Sequence, residues 1–520
     1  MAPAGHDGNL VEGWRPIPLD RLAGRWAEAS GKLSETKTYD VVIIGGGPAG
    51  VIGAATATGA RKTVALVDNH HELGGAGVNT GTVPSKTLRE TALALSGIKA
   101  RNLIGVDVAL KQEATVADFL RHEQHVKAGF NAMISRQLQA DKADLYFGTG
   151  TFADPHTVKV QLHPAGPGKT QAAAPGPEIL LRGGIIMIAT GSSPVRPALF
   201  PFGSPGVYDS DTILHLDRLP ENLAVIGSGV IGSEYACTFA ALGAKVHLID
   251  SREGLLPFLD AELSRALAVA MERNGVTLHW KEQVVECRAR GAAGIRLHLS
   301  SKGSLNVDAV LVAAGRRSNT ENLNASAVGI KLGDRGLVLV DQEFRTSVPH
   351  IFAVGDVIGF PALASTSMEQ ARRAVSHAFG LPIRAGISPM LPNGIYTIPE
   401  VSMVGETEES LKKQGVDYVV GRADYRSNAR GRIIGDLDGF LKLLFRRSDM
   451  KLLGVHIIGE QATEIVHIGL MAMLTGCRAD VFVEACFNAP TLGGLYKSAT
   501  LDALLRSAGA RAALTALEEA

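Results

Sequence analysis

One pattern limits this chain more than any other. The same unit, an apolar run, a glycine turn, a small-residue helix and a second apolar run ending in an acid, occurs twice. The first copy, YDVVIIGGGPAGVIGAATATGA followed by TVALVD, runs from Tyr39 to Asp68. The second, LAVIGSGVIGSEYACTFAALGAKVHLID, runs from Leu223 to Asp250. Asp68 stands 23 positions after Gly45, and Asp250 stands 23 positions after Gly227. Each unit reads as a βαβ opening, and the pair is a duplicated architecture rather than a solenoid.

The glycines carry the chemistry. The first set is Gly45, Gly47 and Gly50, around Pro48 and Ala49; the second is Gly227, Gly229 and Gly232, around Val230 and Ile231. In each set the first glycine permits the tight strand-to-helix turn, the second lets a pyrophosphate approach the backbone, and the third lets helix and strand pack closely. Free N–H groups and the helix dipole then hold the phosphates. Asp68 and Asp250 sit where a carboxylate accepts from a ribose hydroxyl. One glycine motif alone is a weak signal; two, each with strand, helix and acid in place, point to two dinucleotide sites. Two such sites imply cofactors that exchange electrons: a fixed flavin (FAD) and a diffusing nicotinamide (NAD or NADP).

Composition narrows the class. Lysine plus arginine number 52, and so do aspartate plus glutamate. This balance argues against a nucleic-acid or anionic-membrane partner. Glycine is 59 of 520 residues, about 11%, against a usual ~7%. No run approaches the ~18 apolar residues of a membrane span, and the N-terminal MAPAGHDGNLVEG has no signal-peptide pattern. Cys237, Cys287, Cys477 and Cys486 form no disulfide framework and no metal-type pair, and are expected as small buried residues. A cytoplasmic enzyme without a metal site is the expectation.

Along the chain, a helix is conceivable from Leu19 to Leu33. Helices are predicted from Pro84 to about Lys99, from about Thr115 to Ala140, from Ala462 to Thr475 and from about Leu492 to Ser507, with 508–520 as a frayed tail. The stretch HPAGPGKTQAAAPGP, 163–177, reads as a mobile surface loop.

Six phrases in this order, VIIGGGPAG, GTVPSK (81–86), IATGSSP (188–194), VIGSGVIGSE (225–234), GRRSNT (315–320) and AVGDVIG (353–359), resemble the flavoprotein disulfide reductase superfamily. The resemblance covers about Tyr39 to Arg506. It implies an α/β fold with two Rossmann-like domains and a C-terminal α+β dimerisation domain. The corresponding division is an N-terminal extension 1–38, an FAD domain in two segments (39–195 and 315–385), an NAD(P) domain 196–314, a dimerisation domain 386–508 and a tail 509–520. It implies that Asp356 contacts the flavin's ribityl chain, and that Lys86 lies near flavin N5, paired with Glu234, as the catalytic pair. Further cofactor contacts are implied for Gly75, Thr82, Gly150, Thr190, Gly191, Gly355, Ala364 and Gly315. Independently, a cation in the first turn after Pro84 opposes the helix dipole, so Lys86 is a poor choice for a plain surface position.

An absence is equally informative. The superfamily carries G-G-x-C-x-N-x-G-C-x-P-S-K, where this chain reads GGAGVNTGTVPSK, with Gly77 and Thr82 in place of both cysteines. Its H-P-T-x-x-E motif is replaced by APTLGG, with Ala489 for His and Gly494 for Glu. Thiol chemistry needs a thiolate and a nearby base, so the resemblance does not extend to disulfide reductase, lipoamide dehydrogenase or mercuric reductase activity. AVGDVIGFPALAS, PNGIYTIPEVSMVG, VGRADYRSNARGRIIG, FNAPT and EIVHIGLMAM resemble the soluble pyridine nucleotide transhydrogenase branch. His467 within the last phrase is expected to pack at an interface. The chain departs from that branch, which often keeps one cysteine and an acid at the position of Gly494, and the N-terminal extension is unusual.

The resemblance implies hydride transfer from NADPH to NAD⁺ in a ping-pong cycle that uses one nicotinamide site twice, in a homodimer or higher homo-oligomer. Asp250 suits a free 2′-hydroxyl, and Arg252 either pairs with a 2′-phosphate or is a solvated surface residue. The competing functions are a flavin enzyme that passes electrons to oxygen or a quinone, and a non-catalytic FAD-binding dimer.

Overall fold

The computed structural model describes residues 36–97, 115–163, 176–382 and 390–518, and for 509–518 the backbone alone. The helix proposed for Leu19–Leu33, nearly all of the N-terminal extension and most of the loop 163–177 lie outside the described residues.

Strand Thr36–Ile44 forms the centre of the first sheet, with parallel neighbours Val64–Asp68 on one side and Glu178–Ile188 on the other. Val41, Val42 and Ile43 are fully buried, as a parallel strand covered on both faces requires. Asp144–Asp154 and Ile351–Ala353 extend this sheet in parallel, and Thr157–Leu162 bridges its two long strands antiparallel. A second sheet is all parallel, in the order 276–280, 245–250, 222–226, 309–312, 207–209, and the antiparallel strands 284–289, 295–299 and 304–307 form a separate small sheet. The chain passes between the two parallel sheets through a two-stranded link, Ser192–Pro194 against Arg316–Ser318. The third sheet is antiparallel, in the order 393–395, 401–405, 452–458, 440–446, 418–424. The helices Ala462–Leu474 and Gly494–Glu518 pack against it.

The helix after GTVPSK starts earlier than predicted. It spans Thr82–Ser96 and stops where Gly97 turns left-handed at φ 61°. Helix Val116–Ala140 opens on a capping box, with Thr115 Oγ1 accepting from Asp118 N and Asp118 Oδ2 accepting from Thr115 N. Its Phe119 meets Phe239 of helix Val230–Ala241 with ring centroids 6.0 Å apart, so one apolar core joins the two nucleotide units. Gly494–Glu518 carries its helix beyond Ser507, through the segment expected to fray.

Between the second sheet and the third lies a buried ion cluster. Lys442, 1% exposed at its side chain, sits 2.8 Å from Asp260 and 3.1 Å from Glu262, and also bonds Glu408. Burial opposes the charge of Lys442, but Asp260 and Glu408 more than offset it and raise its pKa. Both carboxyls lie below their ordinary values despite burial, held there by the Lys442 ammonium first of all. Of the four cysteines only Cys237 is buried; Cys287 and Cys477 are half-buried, and Cys486 is exposed. Cys486 follows the short helix Ala479–Glu484 in a surface segment, which corrects the expectation that all four are interior.

Candidate active site

The two glycine turns are built alike. Gly45 and Gly227 adopt φ 112° and 102°, where a side chain is strained, and a Cβ on either would run into the carbonyl of Ala189 or Ala313. A Cβ on Gly50 or Gly232 would overlap the carbonyl of Gly45 or Gly227. The middle glycines differ. Around Gly229 nothing lies within 4 Å of an added Cβ, and at Gly47 the nearest atom is Gly75 Cα at 3.8 Å. Gly47 and Gly229 are also the N-caps of their helices, and no side chain caps either one. Each helix start therefore presents uncapped N–H groups beneath open space, which suits a pyrophosphate. Gly75, at φ 52°, closes one wall of the first cradle, and Gly150 lines the strand beneath it, among Ile44, Val67 and Val158.

The acids after the two turns share a position but not an environment. Asp68 accepts from Gly46 N and from His70 N, the latter at 2.7 Å. Burial raises its pKa, and those N–H groups only partly offset the effect. Asp250 accepts from Ser228 N at 2.7 Å and Ser228 Oγ at 2.8 Å, and Arg252 lies across both its oxygens. Burial works against its charge too, but the guanidinium and the Ser228 N–H outweigh it and hold the carboxyl well below the ordinary range.

Between the cradles lies a junction of three segments. Lys86 Nζ, in the second turn of Thr82–Ser96, stands 2.7 Å from Glu234 Oε2 on helix Val230–Ala241; with the helix starting at Thr82 and not Pro84, the expected opposition to the helix dipole in the first turn does not apply. Glu234 is buried, at 5% exposure, and its other oxygen accepts from Tyr396 N at 2.9 Å. The Lys86 ammonium also faces the Tyr396 ring, 4.9 Å from the centroid. Tyr396 lies within the phrase PNGIYTIPEVSMVG, but 162 positions from Glu234, and nothing in the sequence pairs the two.

Asp356 is bonded through its side chain by Ser192 Oγ at 2.8 Å, and Arg316 donates to Ser192 Oγ and Ser192 O at 2.8 and 2.6 Å. Gly355 N donates to Gln370 Oε1 at 2.7 Å, and helix Ala364–Ala378 starts just beyond. Thr190 and Asn319 exchange hydrogen bonds of 2.8 and 2.9 Å, and Asn319 N donates to Gly191 O at 3.0 Å. Gly315 opens the return strand at φ 102°. Ser192 and Asn319 lie within the motifs IATGSSP and GRRSNT, yet only the fold shows that they tie those motifs together.

Gly77 and Thr82, where the resemblance expects the two cysteines, lie in the short helix Gly75–Asn79 and at the start of helix Thr82–Ser96. Thr82 is exposed at the start of its helix. A Cβ on Gly77 would stand 2.7 Å from Pro48 Cγ, so a side chain at 77 requires the Pro48 ring or the short helix Gly75–Asn79 to shift. His467 is exposed in the single chain, with Nδ1 3.1 Å from Glu464 O.

Two uncapped glycine turns and a part-buried lysine–glutamate pair fit one class: a two-nucleotide oxidoreductase with FAD and pyridine nucleotides. The chain belongs to the pyridine nucleotide-disulphide oxidoreductase family, whose model matches residues 39–378, with the family's dimerisation domain matching 391–500. It is 45% identical over 468 residues to the soluble pyridine nucleotide transhydrogenase of Mycobacterium bovis BCG, covering 90% of this chain and 97% of that one. It is 39% identical over 477 residues to the protein of the same name from Colwellia psychrerythraea, covering 91% and 100%. Among solved structures it resembles LpdA from Mycobacterium tuberculosis, with a TM-score of 0.80 and 26% identity over 89% of this chain and 99% of that one. It also resembles the HOCl-induced flavoprotein disulfide reductase RclA from Escherichia coli, with a TM-score of 0.79 and 26% identity over the same shares. No described helix is long and apolar enough to cross a membrane.

Proposed function

We propose that this protein transfers hydride from NADPH to NAD⁺, giving NADP⁺ and NADH, as a soluble transhydrogenase. Relatives at 39–45% identity over nine-tenths of the chain carry that name. The observation that carries the reading is Gly77 packed on Pro48 with Thr82 beyond it: electrons have no sulfur relay through which to leave, so they return to a nicotinamide.

FAD would be held by Gly45–Gly50, Asp68 and Asp356, and when bound would supply a two-electron carrier. The chain's own residues bind and orient. Gly227–Gly232 hold the nicotinamide dinucleotide, each nucleotide in turn at one site. Lys86 and Glu234 fix a charge pair beside the reacting ring. Hydride transfer needs no protein proton donor, in keeping with Ala489 and Gly494 where an acid/base pair would stand.

Arg252 supports use of both nucleotides. With Asp250 neutralised by the guanidinium fork, a 2′-hydroxyl is accepted by the carboxylate, and a 2′-phosphate draws the fork to itself. The remaining assignments belong to the same reading: a cytoplasmic homodimer with an FAD domain of 39–195 and 315–385, an NAD(P) domain of 196–314 and an interface domain of 386–508.

An anaerobic experiment tests it. The purified yellow protein is bleached with NADPH, then given NAD⁺. Return of the oxidised flavin spectrum with stoichiometric NADH is expected. A flavin that stays reduced under NAD⁺ and recovers with oxygen or a quinone would replace this function with an oxidase or quinone reductase.

A further inference from the structure

We propose that Tyr396 is a positioning residue for hydride transfer, through which the interface domain holds the Lys86–Glu234 pair in place and keeps the Lys86 ammonium partly dry. The inference rests on the function proposed above and adds a residue to its machinery. Two observations meet at this tyrosine. Its N–H donates to Glu234 Oε1 at 2.9 Å while Oε2 takes Lys86, so both carboxylate oxygens are occupied and the carboxylate cannot rotate without breaking a bond. Its ring lies 4.9 Å from the Lys86 ammonium, inside the ~6 Å range of a cation–π contact. The ring therefore occupies the side of the lysine that water would otherwise solvate, and a charge with less water around it acts more strongly on its neighbours.

The tyrosine is itself clamped. Arg89, one helical turn beyond Lys86 and 3% exposed, donates from Nε to Thr397 O at 3.1 Å and pairs with Glu400 at 3.2 Å. Glu400 in turn accepts from Thr463 Oγ1 at 2.8 Å. The strap Tyr396–Glu400 and the helix Thr82–Ser96 thus grip each other at two points, one through Lys86 and one through Arg89. A strap packed only for stability would need the Arg89 grip alone. The second grip falls on the Lys86–Glu234 ion pair.

The test uses the FAD-loaded full-length protein with Tyr396→Phe and Tyr396→Leu. Phenylalanine keeps the ring and the N–H; leucine keeps the N–H and removes the ring. The readouts are the flavin midpoint potential, the visible flavin spectrum and the anaerobic rate of bleaching by NADPH. Expected results are Tyr396→Phe within about twofold of the parent and Tyr396→Leu at least fivefold slower, with a lower potential because the better-solvated Lys86 favours the reduced ring less. In a Lys86→Met background, Tyr396→Leu should no longer move the potential, since the tyrosine acts through the ammonium. Tyr396→Leu with the parent's potential and rate overturns the proposal, and so does a potential shift that persists in Lys86→Met. Bleaching needs no second nucleotide. A parent that bleaches but fails to hand hydride to NAD⁺ would therefore sink the transhydrogenase reading and leave the Tyr396 result standing.

Discussion

Arg252 lies across Asp250 with Nη2 2.9 Å from Oδ2 and Nε 3.0 Å from Oδ1, so the acid after the second glycine turn is paired, whereas among the described residues no arginine pairs with its counterpart Asp68. The fork is half in solvent, with the Arg252 side chain 53% exposed, which leaves it free to exchange one anion for another. Arg252→Ala should lower kcat/KM for NADPH about tenfold, or ~1.4 kcal/mol, the lower end for a charged hydrogen bond because of that exposure. The same change should lower NADH use by much less. Steady-state kinetics with both nucleotides decide it, and equal losses would remove Arg252 from the phosphate site.

Glu234→Ala strips the partner from Lys86 and leaves Tyr396 N–H without its acceptor. Anaerobic stopped-flow bleaching by NADPH should slow at least tenfold while FAD content stays at one per chain. An unchanged rate would show that the pair plays no part in the transfer.

Restoring cysteines at 77 and 82 should not restore a disulfide. The Gly77→Cys, Thr82→Cys protein must push Pro48 off the turn it opens, an overpacking cost of about 1–3 kcal/mol. A lower melting temperature and two titratable thiols under mild oxidation are expected; a stable bridge with unchanged melting would refute the packing argument.

The Lys442 cluster makes a pH prediction. Asp260 and Glu408 have lowered folded pKa values, so their contribution is full above the unfolded values of about 4 and is lost as the pH falls through the lower folded ones. Lys442 is raised, so its contribution is full below about 10.4 and is lost as the pH rises through its folded value. Melting temperature should hold a plateau between roughly pH 5 and 10 from this cluster. Lys442→Met, which strands Asp260 without its cation, should cost about 3–5 kcal/mol at neutral pH and lose less further stability on acidification than the parent. A thermal melt series across pH checks both.

What the sequence discloses here is local. A glycine needed at φ 112° or 102° and an acid at a set distance beyond it lie within one βαβ unit, where spacing and geometry are the same thing. Lys86 and Glu234 are 148 positions apart and could be paired beforehand only through the resemblance that GTVPSK and VIGSGVIGSE carry. For Tyr396 and Ser192 the phrases PNGIYTIPEVSMVG and IATGSSP mark the segment and not the partner, and Lys442 lies in none of the phrases that carry the resemblance. Each acts on a residue more than 120 positions away, or across two sheets, and a lone Tyr, Ser or Lys in an apolar stretch looks like any other until the strands are in register. The lysine inside FLKLLF is the clearest case: period and composition alone place a strand there, and only the packing of Asp260, the N-cap of helix Ala261–Arg273, against it explains a cation in the core.

The contact between Gly77 and Pro48 couples two parts of the chain. A side chain added at 77 would meet, 2.7 Å away, the ring of the proline that opens helix Pro48–Gly59. That helix start follows the first glycine turn, so a substitution meant to bring sulfur into the segment 75–82 would also disturb the seat of the first nucleotide.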